Sequence, residues 1–300
     1  MAIYAMWLAI GHTIRAKSIK ADTIKLYLKA ASSFFQLFDT KARDARYFDN
    51  AFKLAEPITR VIDEVKRFEN VKKRKEAYTP AMQTTLIAKQ EGTPQHGFLQ
   101  ACNDWFGLGL QLGLRQIEWC QAEGQKDIAK FELNPHGSTY AFTLDNFQFY
   151  SQSKKKLNKR IALKNPHLVW HIRVCFDFQK NDDHGELKWI THNIANPELC
   201  SVLRAMNICT RFITLRGWKF SHEPLAIYQD SSNKFFYNIT DSDANILIRK
   251  LAAETYDISK PEDLQLWTCH SIRVGACCII YAMGIPDANI KQLLRWQSDC

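Results

Sequence analysis

The chain has 300 residues, of which 46% are hydrophobic and 24% are charged. This length suits two compact domains better than one, and this hydrophobic fraction excludes a disordered chain. The formal net charge of +9 favours a polyanionic partner, and nucleic acid is the commonest of these.

The positive charge is concentrated near the start of the chain. Residues 1–78 carry 16 Lys or Arg against 9 Asp or Glu, whereas residues 79–300 carry 24 against 22. The nine cysteines form no CxxC pair, which predicts a reducing, intracellular compartment: the nucleus in a eukaryote, and otherwise the cytoplasm. The apolar run at 274–285 is too short to span a membrane, and Met1 is not followed by a signal-peptide pattern. No membrane partner is therefore predicted.

Residues 1–75 are predicted to form an all-helical N-terminal domain. Asp22 is a suitable helix cap, and apolar residues follow it at helical spacing up to Phe38. Residues 3–10 and 50–69 also have helical character. The basic side chains of this domain and of the run that ends it are the predicted DNA contacts: Lys17, Lys20, Lys25, Lys29, Lys72, Lys73, Arg74 and Lys75. A solvated linker explains the basic run equally well.

Residues 79–300 are predicted to form a mixed domain, which Thr79 and Pro80 open as helix cap and first-turn proline. Helices are predicted at 80–90, 96–123 with a break at Gly113, 197–216, 241–256, 270–283 and 287–296. Strands are predicted near 139–150, 168–178 and 187–192, the last two as a hairpin around a polar turn. The predicted fold class is mainly α: an all-helical domain followed by an α+β domain with a small antiparallel sheet.

One segment of the second domain combines an imidazole and a guanidinium. Thr268 can cap a helix, and His270 and Arg273, three residues apart, then share a face near its start. A bound anion would meet two donors and the positive end of the helix dipole. On spacing alone, a capped helix with an incidental His and Arg is the more economical interpretation.

Two short motifs change that balance. His270-x-x-Arg273 is followed by Gly275-Ala276 and, 26 residues after His270, by Trp296 in Leu294-Arg295-Trp296. This pattern resembles the second conserved box of the tyrosine recombinase (phage integrase) family, and Gly113-Leu114-Arg115-x-x-Glu118 resembles the first. It is most similar to the Crypton-like recombinases of eukaryotic mobile elements. The resemblance extends over nearly the whole chain, since residues 22–38 look like the family's N-terminal core-binding helices.

The resemblance implies a role for each basic residue of the two boxes. Arg115 and Arg273 would clamp the scissile phosphate, because a planar guanidinium fork matches two phosphate oxygens and offsets charge in the transition state. His270 would hydrogen-bond the phosphate and assist proton transfer.

Three further residues receive roles from the resemblance. Glu118 would orient Arg115, and Trp296 would support the phosphate or the nucleophile through packing and its indole N–H. Lys180, in the hairpin turn, would protonate the leaving 5′ oxygen, although Lys188 on the following strand is the alternative for this role.

No metal or other cofactor is implied, because the arginines neutralise the charge. A rival pattern places His167, His171 and Cys175 at four-residue spacing, which on a helix would suit zinc. The segment is predicted to be a strand, and a fourth ligand is not nearby, so no zinc site is predicted.

The expected function is DNA binding and site-specific recombination or integration through a 3′-phosphotyrosyl intermediate, by a homotetramer assembled on double-stranded DNA. The family's nucleophilic tyrosine should lie about eight or nine residues beyond Trp296, whereas the chain ends at Cys300. Tyr281 does not match the position of the nucleophile. The chain is therefore expected to be truncated and inactive in strand cleavage.

Two alternatives remain at this point. A non-enzymatic DNA-binding protein could use 270–296 as a helix-turn-helix, with Asn289, Lys291, Gln292 and Arg295 as the main base-contacting candidates. An inactive remnant of a mobile element would share the fold without the activity.

A nicked suicide duplex is expected to trap no covalent adduct with the 300-residue chain, because water cannot replace the nucleophile that preserves the bond for rejoining. A chain extended through a tyrosine at about position 304 or 305 should trap one. Gel separation of protein–DNA adducts measures both, and an adduct formed by the 300-residue chain would direct attention to Tyr281.

Overall fold

The computed structural model describes most of the chain. The described residues are 5, 20–38, 44, 46–47, 54–68, 74–127, 139–177 and 185–295. The chain divides into two compact units, Met1–Lys73 and Arg74–Cys300. The roles assigned above to residues 1–75 and 79–300, DNA binding and catalysis, stay predictions.

The first unit contains helices α1 (Ala21–Phe38) and α2 (Glu56–Phe68). They pack through a small core of Ala5, Ala21, Ile24, Leu28, Ile58 and Ile62. Of the apolar face predicted after Asp22, Tyr27 and Phe34 are exposed, because the contact with α2 covers only a narrow stripe of α1. Helix α2 begins at Glu56 rather than at 50, since Pro57 suits the first turn of a helix and Leu54 pairs with Tyr47 instead.

The second unit is mainly helical. Its helices are α3 (Pro80–Gln90), α4 (Phe98–Leu112), α5 (Gln116–Trp119), α6 (Lys159–Lys164), α7 (Ser201–Arg216), α8 (Asp241–Tyr256), α9 (Pro261–Leu264), α10 (Cys269–Ala282) and α11 (Asp287–Leu294). The short helices α6 and α9 were not predicted. No helix in the described part of the chain is long and apolar enough to cross a membrane.

An antiparallel sheet of three strands accompanies these helices, in the order β1 (Phe147–Tyr150), β2 (His171–Phe176) and β3 (Glu186–Thr191). Ile172 pairs with Phe149 on one side and with Ile190 on the other, so all three turn the same face to the core. The predicted fold class, mainly α with a small antiparallel sheet, is confirmed.

Two details of the strand prediction are wrong. Strand β1 begins at Phe147 rather than near 139, because Leu144–Asn146 form a 3₁₀ turn in which the Thr143 N–H donates to the Asn146 side chain at 2.7 Å. A further two-stranded sheet was not predicted; it consists of β4 (Ile227–Gln229) and β5 (Phe236–Asn238).

Helix α4 lies at the centre of the second unit, in contact with α3, α7 and α10. Its Trp105 and Phe106 rings lie 6.0 and 5.7 Å from the ring of Trp119. Arg211 on α7 forms a buried ion pair with Asp104 of α4. These contacts hold the middle of α4 against its neighbours.

Helix α10 passes very close to the segment that enters the second unit. The Tyr78 N–H donates to the Ser271 carbonyl at 2.9 Å. A Cβ atom at Gly275 would lie 2.0 Å from the carbonyl oxygen of Tyr78. Only glycine permits this approach, because a backbone atom cannot move aside as a flexible side chain can.

Gly275→Ala should therefore lower the free energy of unfolding by about 3 kcal/mol, the upper part of the range for overpacked cores. Urea denaturation of the purified chain measures it. Gly124→Ala is the matched control, since a Cβ atom there meets nothing within 4 Å. Equal stability of the two variants would contradict the close approach.

Candidate active site

The turn after α4 places the first arginine. Gly113 ends the helix in the left-handed conformation, with φ of 59°, as the predicted break requires. A Cβ atom here would also lie 2.4 Å from Cδ2 of Leu294. Two residues later Arg115 immediately precedes α5, so this turn directs its side chain.

Glu118 anchors Arg115 at the start of α5. The carboxylate is buried, and it accepts hydrogen bonds from the Arg115 backbone N–H at 2.7 Å and from Nη1 at 3.3 Å. Nη2 of Arg115 donates to the carbonyl oxygen of Arg295 at 2.9 Å. The guanidinium is thus held on two sides.

The first turn of α10 places the imidazole and the second arginine. The Thr268 N–H donates to the Ser271 hydroxyl at 3.0 Å, and the Cys269 N–H donates to the side-chain oxygen of Asn245 on α8 at 2.7 Å. His270 is exposed. Arg273 lies one turn on and is buried, and its guanidinium donates to the carbonyls of Gly113 and Leu294.

Arg115, His270 and Arg273 line one cleft of about 450 Å³. Arg115 and His270 are 155 positions apart in the sequence, so only the folded chain brings them together. The described residues of the lining include no Asp or Glu. A site with two guanidinium groups, an imidazole and no carboxylate in its described lining is suited to an anion.

His270 has an electrostatic environment that keeps it neutral. Although the residue as a whole is exposed, neighbouring atoms partly enclose the ring, and this desolvation lowers the pKa of the imidazole below its ordinary value; the charges of Arg273 and Lys75 lower it further. Lys75 itself donates from Nζ to the Gln265 carbonyl at 2.9 Å. At neutral pH His270 can therefore accept a proton or donate a single N–H.

Arg295 is a site residue that the sequence did not identify. Its Nη1 and Nη2 donate to the two oxygens of Glu118 at 2.8 and 3.1 Å, and its guanidinium carbon lies 3.6 Å from the ring centroid of Phe176. The helix-turn-helix alternative counted Arg295 among the base-contacting side chains. That assignment is wrong, because the side chain is buried.

Of the two lysines considered for the hairpin role, Lys188 is described by the structure and Lys180 is not. Lys180 and Trp296 lie outside the described residues. Lys188 on β3 is described: its Nζ lies 2.6 Å from Oε1 of Glu186 and donates to the Gln292 carbonyl on α11 at 3.4 Å. Lys188 therefore lies beside the helix that ends at Leu294.

The predicted DNA contacts of the N-terminal region are only partly described, since Lys17, Lys72 and Lys73 lie outside the described residues. Lys20, Lys29 and Arg74 are exposed. Lys25 is half-buried and 3.9 Å from Asp22. Arg74 and Lys75 belong to the second unit, and Lys75 acts there on the pKa of His270.

The residues weighed for zinc belong to the sheet region. His171 and Cys175 lie on β2, and His167 lies in a 3₁₀ turn before it. Within the described part of the chain, no group of three or more His, Cys, Asp or Glu residues is placed to hold a metal ion.

Comparison with known proteins finds similarity in structure only. No protein-family model matches the sequence, and no curated protein matches it. The structure is similar to that of the Tn1549 transposon integrase in complex with transposon right end DNA, with a TM-score of 0.48 and 14% identity over 99% of this chain and 80% of that chain. A complex of that integrase with circular intermediate DNA gives a TM-score of 0.44 and 13% identity over 98% and 76% of the two chains.

The environment of His270 gives a direct prediction. In an NMR titration of the ring protons, its pKa should lie below the ordinary 6.5. Lys75→Gln should raise it, because one of the charges that oppose protonation is removed. Lys164→Gln is the control, since Lys164 is exposed on α6 and is not among the charges that act on His270. An unchanged pKa in Lys75→Gln would rule out this coupling.

Proposed function

We propose that the chain is a DNA-binding protein of the tyrosine recombinase type, whose reaction is the cleavage and rejoining of DNA strands. The observation that carries the proposal is the convergence of Arg115, His270 and Arg273 on one cleft. The two sequence motifs that resemble the family's boxes thus supply a single site, which a chance match of two short motifs would not require.

The cleft residues divide the work of holding a phosphodiester. Arg115 is partly exposed and, with His270, contacts the nonbridging oxygens. Two of the five N–H groups of Arg273 donate hydrogen bonds to the carbonyls of Gly113 and Leu294, so this arginine also holds the walls of the site in place. Its buried charge acts across a medium of low dielectric constant on the negative charge that builds on phosphorus.

Proton transfer falls to the imidazole and to a lysine. The neutral His270 assists removal of the proton from the attacking hydroxyl. For the leaving 5′ oxygen we favour Lys188 over Lys180, because Lys188 lies against the helix that leads to Arg295.

The reaction forms a bond between a tyrosine oxygen and phosphorus as the P–O5′ bond breaks and the 5′ oxygen leaves as a hydroxyl, so the energy of the phosphodiester is retained in a 3′-phosphotyrosyl link for rejoining. We place this tyrosine C-terminal to Trp296, as the resemblance implies. Tyr281 is 68% exposed on α10 and is not among the described residues that line the cleft. The same proposal includes a homotetrameric synapse on duplex DNA, a relationship to the Crypton-like recombinases and an origin in a mobile element.

Arg115→Ala should weaken binding of a duplex about tenfold at moderate salt, the effect of losing one charge-assisted contact. It should also reduce the slope of log K against log salt by about one. Fluorescence anisotropy across a salt series measures both.

Lys250→Ala is the matched control, since it removes one positive charge from an exposed position on α8 that is not part of the described cleft lining. If the two variants lost the same affinity, the cleft would not be the phosphate site. Salt-independent binding, or none, would remove the DNA-binding proposal as a whole.

A further inference from the structure

The carboxylate of Glu118 lies between two guanidinium groups. Arg295 donates to both of its oxygens, at 2.8 and 3.1 Å, while Arg115 donates through its backbone N–H and Nη1. The side chains of Glu118 and Arg295 are 4% and 1% exposed. This pair is therefore far less accessible to solvent than the Arg115 guanidinium that faces the cleft.

The backbone of Arg295 contributes a second contact. Its carbonyl oxygen accepts the hydrogen bond from Nη2 of Arg115 at 2.9 Å. The Arg295 side chain thus binds Glu118, Glu118 binds Arg115, and Arg115 donates a hydrogen bond back to the Arg295 carbonyl. Such a closed ring fixes the Arg115 guanidinium more tightly than any one of these bonds would.

Arg295 holds this place in an unfavourable backbone conformation. It ends α11 with φ of 59°, a left-handed region that glycine adopts readily and that disfavours a side chain with a Cβ atom. The contacts of its guanidinium with Glu118 and with the ring of Phe176 offset this cost. A strained residue that carries a buried contact is a recognised mark of a functional position.

We infer that Arg295 is a positioning residue for Arg115, acting through Glu118. With Arg115 as its only cation, the buried carboxylate would neutralise that guanidinium and draw it away from the cleft. Because Arg295 shares the carboxylate, Arg115 is oriented by Glu118 and still presents positive charge to an anion. This inference rests on the proposed function and gives a role to Arg295, a residue of the second motif to which the resemblance assigns none.

The test compares three variants of the whole chain. Arg295→Gln keeps a donor toward Glu118 but removes the charge, and it should lower the affinity for a short duplex about tenfold. Arg295→Lys keeps the charge and should restore most of that loss. Glu118→Gln combined with Arg295→Gln removes the carboxylate as well, and it should recover affinity to within about threefold of the parent chain.

A second measurement separates positioning from folding. Dimethyl phosphate, a small phosphodiester, should raise the pKa of His270 in the parent chain, because a bound anion stabilises the imidazolium. The shift should shrink in Arg295→Gln and return in the double variant. If Arg295→Gln does not fold, the double variant leaves no buried carboxylate unpaired, and its comparison with Arg295→Lys and the parent chain decides the question.

Each outcome has one meaning. The inference would be overturned, with the proposed function left intact, if Arg295→Gln bound the duplex as the parent chain does and dimethyl phosphate shifted the pKa of His270 by the same amount in both. Equal losses in all three variants would reduce Arg295 to a purely structural role and also overturn it. If Arg115→Ala binds the duplex as the parent does and dimethyl phosphate leaves His270 unchanged, the proposed function itself fails.

Discussion

The carbonyl of Gly113 is the point at which the second unit is tied together. It accepts a hydrogen bond from Arg273 on α10 and lies 3.4 Å from Nη2 of Arg295 at the end of α11. Both arginines can reach it only because the left-handed turn at Gly113 directs the carbonyl inward and leaves room for Leu294. A side chain at this position would be strained by the left-handed φ and would force the Leu294 side chain to move, since a Cβ atom would lie 2.4 Å from its Cδ2.

The electrostatic consequence is a cluster with excess positive charge below the surface. Arg115 and Arg295 share the carboxylate of Glu118, and Arg273 beside them donates to the backbone carbonyls of Gly113 and Leu294. Burying unbalanced charge is costly, and folded proteins keep it chiefly where an anion is to be bound. Of this cluster, Arg273 lowers the pKa of His270, in addition to the larger effect of desolvation, so a positively charged group and a neutral imidazole lie side by side.

Elements with strong local signals are the ones that the sequence predicts well. The helix predicted at 241–256 coincides with α8, where the Thr240 hydroxyl accepts from the Asp243 N–H and caps the first turn. Strands β4 and β5 have only three residues each, too few for a period to be recognised. Their pairing is decided by neighbouring segments, as when the Gln121 N–H donates to the Ile239 carbonyl.

The sequence by itself determined the mainly helical class, the break at Gly113 and the shared helical face of His270 and Arg273, because caps, left-handed turns and helical spacing act over a few residues. Only the tertiary structure decided that Arg115 reaches that face and that Arg295 binds Glu118, since these contacts join residues 155 and 177 positions apart. Their geometry depends on the packing of α4 against α10 and of α10 against α11. Local periodicity carries no information about which buried charge will meet which partner, so the arginine that completes the site is found only in the folded chain.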